Sequence, residues 1–497
     1  MPFTQADTKN ISTLGALKAA GYLPESVKQE LRRNLMAKLS NGEPAFEGIW
    51  GYEETVIPDV ERAILSMHNM NFLGLRGQAK TRMARQMVHL LDEYVPVVAA
   101  SELNDDPLKP LSRFAQELIA EQGDETPIAW LHRDDRYVEK LATPDVSVAD
   151  LIGDADPIKA ATLKLPYSDE RVLHFGLIPR AHRGIFVINE LPDLQARIQV
   201  ALFNILQEGD IQIRGFRKRI PLDILFVFTA NPEDYTNRGS IVTPLKDRIE
   251  SQILTHYPKS IAVGRKITEQ EAQLKPEQVA SVTIPDLAYD LVEQIAAEAR
   301  KSELVDVKSG VSARLTISAL ENLASAAERR GLKTGLARTH VRMSDLWAII
   351  PSITGKVELV YEGEQEGPLV VAQNLIGKAI RTLFVQQWPH PERAKKRKAG
   401  NPYQSVVNWF GTGQTVEILF DDTEEAYRAK LDLVDGLADL VETYAATSEA
   451  DLRYFLMEFV LHGLAEYSTV SRQTVEQGLT FADLLGTMFS GPDEDEA

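Results

Sequence analysis

Cysteine is absent from all 497 residues, which removes disulfides, thiolate zinc sites, thiol nucleophiles and iron–sulfur clusters together. A thiol-free chain suits a reducing compartment. Long apolar runs are missing too: none approaches 18 residues, and residues 1–7 contain neither a basic n-region nor an apolar h-region. The expectation is a cytoplasmic protein with no membrane span. Positive charge is in deficit, with 54 Lys and Arg against 72 Asp and Glu and a formal net charge of -18. A molecule of that sign repels a phosphate backbone, so nucleic acid is disfavoured as a partner. The nine histidines show no metal-ligand spacing, and no internal repeat is visible. What remains is an ordinary globular composition, 44% hydrophobic and 25% charged, in a chain too long for one core.

The most informative segment is Gly74-Leu75-Arg76-Gly77-Gln78-Ala79-Lys80-Thr81, which follows the apolar stub Asn71-Phe72-Leu73 and opens a helix-like run over 83–94. It reads as a phosphate-binding loop. Backbone N–H groups of a glycine-containing strand-to-helix turn point at one spot, and the positive end of the next helix adds to them. Lys80 is placed to reach the outer phosphates and the Thr81 hydroxyl a magnesium ion. The consensus glycine before the lysine is Ala79, which fits if its backbone is right-handed.

Two further apolar runs look like buried parallel strands. Gly184-Ile185-Phe186-Val187-Ile188 ends in Asn189-Glu190, and Ile224-Leu225-Phe226-Val227-Phe228-Thr229-Ala230 ends in Asn231-Pro232. Ligands of open α/β sheets bind beyond the carboxyl ends of the strands, so these polar tips are expected to meet the phosphates. Between them lie a helix over 194–207 and a β-hairpin over 209–220, with Gly215 at its turn and Arg214, Arg217, Lys218 and Arg219 as a basic tip. The long stretch from Lys80 to Glu190 has a weak strand signal at Val95-Pro96-Val97-Val98 and turn residues from Asp145 to Asp156, and it is expected to carry a further insertion. Elsewhere, helices are expected in the first fifty residues, with Leu14, Leu17, Ala20, Val27, Leu31 and Leu35 on buried faces, and over 57–67, 287–301, 318–328 and 338–350. A possible hairpin covers 416–420. The run Arg393-Ala394-Lys395-Lys396-Arg397-Lys398 reads as a solvated linker and Gly411-Thr412-Gly413 as a turn.

In their order these motifs resemble ATPases of the AAA+ class, in the branch of the magnesium-chelatase ATPase subunit and the MoxR-like proteins. The resemblance covers about residues 46–350. Gly74 to Thr81 resembles the Walker A loop, Ile185 to Glu190 Walker B, and Asn231 the sensor-1 asparagine. Pro244-Leu245-Lys246-Asp247-Arg248 resembles the arginine-finger segment, with Arg238 as a rival finger, and Gly310-Val311-Ser312-Ala313-Arg314 the sensor-2 motif. Leu151-Ile152-Gly153-Asp154, with the stretch from Gly176 to Gly184, looks like the chelatase-type segment before Walker B, and the segment from Asp210 to Leu222 like the pre-sensor-1 hairpin.

The resemblance implies an α/β fold: a P-loop AAA+ core, a parallel sheet between helices with β-hairpin insertions, then an α-helical lid and a mostly helical C-terminal domain. The implied division is an N-terminal extension 1–45, a nucleotide-binding core 46–262, a lid 263–355 and a C-terminal domain 356–497 with an acidic tail. It also implies ATP and Mg2+, with Gly74, Gly77, Gln78, Ala79, Lys80, Thr81, Gly51 and Tyr52 on the nucleotide and Thr81 and Asn189 at the metal. The implied catalytic set is Glu190 to activate water, Asn231 to hold it, Arg314 from the lid and Arg248 acting in trans within a homo-oligomeric ring, usually a hexamer. Plainer readings are a helix cap for Glu190 and surface ion pairs for Arg248 and Arg314.

Asn189 stands where that family has an aspartate, and an amide lacks the negative charge that aspartate brings near the ion. The implied function is remodelling of a partner protein carrying a von Willebrand factor A domain, with slow or partner-stimulated hydrolysis. The alternatives are the ATPase subunit of a magnesium chelatase and a weakly hydrolysing, nucleotide-gated scaffold. A σ54-type activator is disfavoured, because no Gly-Ala-Phe-Thr-Gly-Ala loop occurs.

Overall fold

The computed structural model describes residues 3–166, 169–213, 219–232, 240–394 and 400–484. Arg214, Gly215, Arg217 and Lys218 of the hairpin tip, the rival finger Arg238, residues 395–398 of the basic run and the acidic tail fall outside them. The chain forms two compact units, Met1–Tyr257 and Pro258–Ala497. Among the described residues no helix is long and apolar enough to cross a membrane.

The first unit is built on five parallel strands: β1 (Met70–Leu73), β2 (Tyr137–Leu141), β3 (Gly184–Asn189), β4 (Ile224–Ala230) and β5 (Ser251–Leu254). They lie in the order β5-β1-β4-β3-β2. The two runs legible as strands, β3 and β4, are central and wholly buried. The edge strands β2 and β5 carry polar residues and no continuous apolar run, because a strand paired on one side need not be apolar throughout. Tyr94–Val98 is a strand, but it pairs antiparallel with Ile128–His132 outside this sheet.

Side chains alternate between the sheet's two faces, and so do its two cores. Ile185, Val187, Leu225 and Val227 join Met83 and Ala84 of the phosphate-loop helix on one face. Phe186, Ile188, Phe226 and Phe228 pack with Ile198, Leu202 and Ile205 of the helix Ala196–Glu208 on the other. The first core also takes Val27, Leu31 and Leu35 from helix α1 (Val27–Ser40), whereas Ala20 is exposed. Glu30 of α1 receives both terminal nitrogens of Arg136, just before β2, at 2.7 and 2.6 Å in a buried bidentate pair.

The helix expected over 83–94 is shorter than its pattern: it spans Lys80–Gln86, tightens into a 3-10 turn at Met87–Leu90, and the chain is extended again by Tyr94. The hairpin base over Asp210–Ile211 and Ile220–Pro221 is antiparallel as expected, with Arg219 3.5 Å from Asp210.

The second unit is mostly helical around one core to which residues 282–357 and 371–481 both contribute. Its longest helices are Asp286–Ala299, Arg314–Thr334, Pro368–Gln387 and Ala450–Glu466. The last is buried along an unbroken run from Phe455 to Leu464, as a central helix must be. Gly463 there lets the helix approach Phe384, since a Cβ would sit 2.0 Å from that ring. Val416–Leu419 is not half of a local hairpin; it joins Gly478–Ala482 and Ser471–Val475 in a three-stranded antiparallel sheet. The helix expected over 338–350 is instead a short strand, Thr339–His340, followed by a 3-10 helix, Met343–Ile349. Asp345 causes the change, because its carboxylate turns back to the Arg342 N–H at 2.7 Å and to the buried Arg330 guanidinium.

Candidate nucleotide site

The loop between β1 and its helix makes an unusually tight turn. Gly77 has φ +72° and Ala79 φ +55°, so Ala79 lies in the left-handed region, contrary to the right-handed conformation under which an alanine was expected to fit. That conformation costs a non-glycine residue about 1 kcal/mol or more. The loop is braced from behind. A Cβ at Gly74 would lie 1.9 Å from the Thr255 hydroxyl and 2.2 Å from the Gln78 amide, which leaves room for the 2.6 Å hydrogen bond Thr255 donates to Gln78. The buried Tyr52 hydroxyl lies 3.0 Å from the Gln78 carbonyl and 2.8 Å from that of His256. Gly51, beside it, has φ +80°.

Lys80 is 7% exposed, and its ammonium donates to the Gly74 carbonyl and the Asn231 Oδ1. Asn231 donates in turn from Nδ2 to Glu190 at 2.8 Å. The ends of β3 and β4 therefore join the loop in one continuous chain: ammonium, amide, carboxylate. Glu190 itself has φ +55°, and its backbone N–H donates to the Thr229 hydroxyl at 3.1 Å. Strain of this kind persists only where the surroundings over-determine the backbone.

Asn189 lies on the sheet face that carries the loop helix. Its Oδ1 accepts from Thr229 at 3.1 Å and lies 3.4 Å from the Thr81 hydroxyl. Its Nδ2 donates to Glu139 of β2 at 2.5 Å. Glu139 also accepts from Arg85 at 2.8 and 3.1 Å and from the Tyr137 hydroxyl at 3.0 Å. Burial alone pushes the Glu139 carboxyl up, but the hydrogen bonds from Arg85, Tyr137 and Asn189 outweigh it and hold the group below the usual glutamate range. Sequence reading overlooked both Thr229 and Glu139. The alternation of β4 offered a signal for the first, since Thr229 sits one residue before the strand's end; nothing in the half-buried β2 marked the second.

Arg248 is engaged outside this network. Arg248 donates to Gln207 at 2.8 and 3.0 Å and to the Pro244 carbonyl at 2.7 Å, with its guanidinium over the Phe203 ring. Arg314 is exposed and opens the helix Arg314–Thr334 of the second unit.

The phosphate loop after β1, the polar ends of β3 and β4 and the strand order give the first unit an α/β P-loop fold, the core that the AAA+ resemblance implies. Comparison with known proteins gives partial matches. The model of the Sigma-54 interaction domain matches residues 166–253, which hold β3, the hairpin base, β4 and Arg248 but not the phosphate loop. The archaeal Lon protease of Thermococcus kodakarensis is 29% identical over 168 residues, 30% of this chain and 25% of that protein. Among solved structures, NtrX from Brucella abortus in complex with ADP is 12% identical with a TM-score of 0.31, covering 62% of this chain and 54% of that one. The BchI–BchD complex of magnesium chelatase is 19% identical with a TM-score of 0.32, covering 64% of this chain and 97% of the other. The chain thus spans a quarter of the length of its archaeal relative.

Proposed function

We propose that this chain is a ring-forming ATPase that couples ATP binding and hydrolysis to remodelling of a partner protein. The observation that carries the reading is the contiguous path from Lys80 through Asn231 to Glu190 at the ends of three adjacent strands. Phosphoryl transfer needs positioning more than covalent help, and this path supplies a cation for phosphate oxygens, a polar group to hold water and a carboxylate to orient it. In the proposed cycle the loop N–H groups and Lys80 hold the phosphates. The Glu190 carboxylate takes the proton of a water whose oxygen attacks the γ-phosphorus as the bond to ADP breaks. Asn231 keeps that carboxylate aimed.

The oxygen donors near Thr81 suit magnesium, a hard cation that prefers oxygen ligands. The Thr81 hydroxyl and the Asn189 Oδ1 would hold it, and when bound it offsets phosphate charge. Arg248 and Arg314 enter as catalytic cations by their motif positions, with Arg248 completing a neighbouring subunit's site. A von Willebrand factor A-domain partner follows from the MoxR-like resemblance of the sequence alone.

The decisive experiment measures ATP turnover and particle mass together as protein concentration rises. ATP-dependent assembly with turnover per subunit that climbs on assembly is expected, and Arg248→Ala subunits mixed into wild type should depress activity more than in proportion. Calorimetry that detects no adenine-nucleotide uptake in magnesium would overturn the reading.

A further inference from the structure

The Asn189 amide has two unlike ends, an oxygen that only accepts and an NH2 that only donates. A cation tolerates the first and is repelled by the second. What fixes the orientation is Glu139, whose ionised carboxylate can only accept and therefore takes Nδ2 at 2.5 Å. The Oδ1 is left facing the hydroxyls of Thr229 at 3.1 Å and Thr81 at 3.4 Å.

The geometry that permits this is built into the sheet. Leu141 of β2 is directly opposite Asn189 of β3, so Glu139, two residues earlier, shares its face as a diagonal neighbour within reach of a long side chain. The face also carries Arg85, one helical turn beyond Thr81, and Arg85 with Tyr137 locks the Glu139 carboxylate in place.

We propose that Glu139 is a positioning residue for the magnesium subsite: it fixes the Asn189 amide with its oxygen toward Thr81 and returns, from the neighbouring strand, the carboxylate that Asn189 lacks. This rests on the nucleotide reading above. The arrangement is an amide and a carboxylate exchanged between adjacent strands, so their identities are coupled. Asn189→Asp alone sets two carboxylates against each other, whereas Asn189→Asp combined with Glu139→Gln restores one of each.

The test titrates magnesium into the full chain with a fluorescent ADP analogue, recording affinity in EDTA and the magnesium concentration at half-effect. Glu139→Gln should leave nucleotide affinity in EDTA unchanged and raise the magnesium midpoint about 10- to 100-fold, the usual range for losing an outer-shell partner. Asn189→Asp alone should lower the melting temperature without magnesium and recover it with magnesium. The double variant should return the midpoint to the wild-type value, a rescue that a purely structural ion pair with Arg85 does not provide. A Glu139→Gln midpoint equal to wild type, or a double variant no better than Glu139→Gln, overturns the proposal. Should Glu139→Gln not fold, the Asn189→Asp melting comparison decides by itself. A wild-type chain that binds no nucleotide at all overturns the nucleotide reading and this inference with it, whereas binding with a Glu139-independent midpoint overturns only this inference.

Discussion

Both units bury paired charge, Arg136 with Glu30 in the first and Arg330 with Asp345 in the second, but the candidate site is built differently from these pairs. At the candidate site of the first, the neutral amide of Asn231 links the cation Lys80 and the anion Glu190, accepting from the one and donating to the other. In the second, cation meets anion. Arg330 pairs with Asp345, and Arg342 with Glu424 at 2.9 Å. Glu458 accepts the N–H groups of Met343 and Ser344 and the Tyr427 hydroxyl, all at 2.9 Å. Even His340, Glu424 and Asp451, whose ligand atoms gather within 4.8 Å, have their carboxylates held by Arg342 and Arg428. Backbone strain follows the same division: Ala79 and Glu190 are left-handed at the candidate nucleotide site, while Arg330, Asp345 and Glu458 sit within helical segments. Charges linked through an amide on a strained backbone distinguish the candidate site; buried charge paired on regular elements distinguishes the scaffold.

The sharpest way to break this contrast is to neutralise one carboxylate in each unit, half-buried Glu190 in the first and buried Glu458 in the second. Glu190→Gln should lower ATP turnover by about 10²- to 10⁴-fold, the usual contribution of a general base, and trap bound ATP. Glu458→Gln should lower the melting temperature and leave turnover per folded molecule unchanged. Steady-state phosphate release beside calorimetry checks both, and unchanged hydrolysis in Glu190→Gln would remove it from its assigned role.

A smaller effect tests whether the neutralised pairs are structural in both units. Glu30→Ala strands the buried Arg136 in the first unit, and Asp345→Ala strands Arg330 in the second. Each should cost about 3–5 kcal/mol in denaturant unfolding, the range for removing one member of a buried pair.

Acid should weaken both units alike. His182 accepts the Asp223 N–H at its Nδ1, and burial, aided by Arg183, depresses it to about 4. His462 in the second unit is likewise depressed to about 4, chiefly by burial. Each native state holds its histidine neutral while the unfolded chain protonates near 6.5, so stability is full above pH 6.5 and is lost as the pH falls toward 4, by roughly 3 kcal/mol per histidine. Urea midpoints measured from pH 7 to 4 check this, and His182→Gln should flatten the slope for the first unit.

The smallest effect concerns the strained loop. Ala79→Gly relieves the left-handed penalty but frees the unfolded chain, and the first term is the larger, giving a net gain of up to about 1 kcal/mol. A lower melting temperature in this variant would show that Ala79 is not strained.

Local chemistry made much of the candidate site legible. Gly74 to Thr81 announced themselves by spacing, and Asn189, Glu190 and Asn231 by ending apolar runs that only a central parallel strand needs. Strand β2 was illegible because an edge strand with half-buried, charged positions carries no hydrophobic signature, and with it went Glu139. The segment 338–350 misled for a different reason. Its apolar spacing is helical, but Asp345 satisfies Arg330 and the Arg342 N–H, and that buried pairing outweighs a propensity worth only tenths of a kcal/mol per residue.

The sequence by itself determined that a strand-loop-helix would present backbone N–H groups, an ammonium and a hydroxyl together, since all of these lie within eight consecutive residues. Only the tertiary structure decided which way the Asn189 amide points and which carboxylate stands behind it. That choice depends on Glu139, fifty residues away in the chain, and sequence periodicity describes the face a side chain occupies, not the neighbour that the strand order brings beside it.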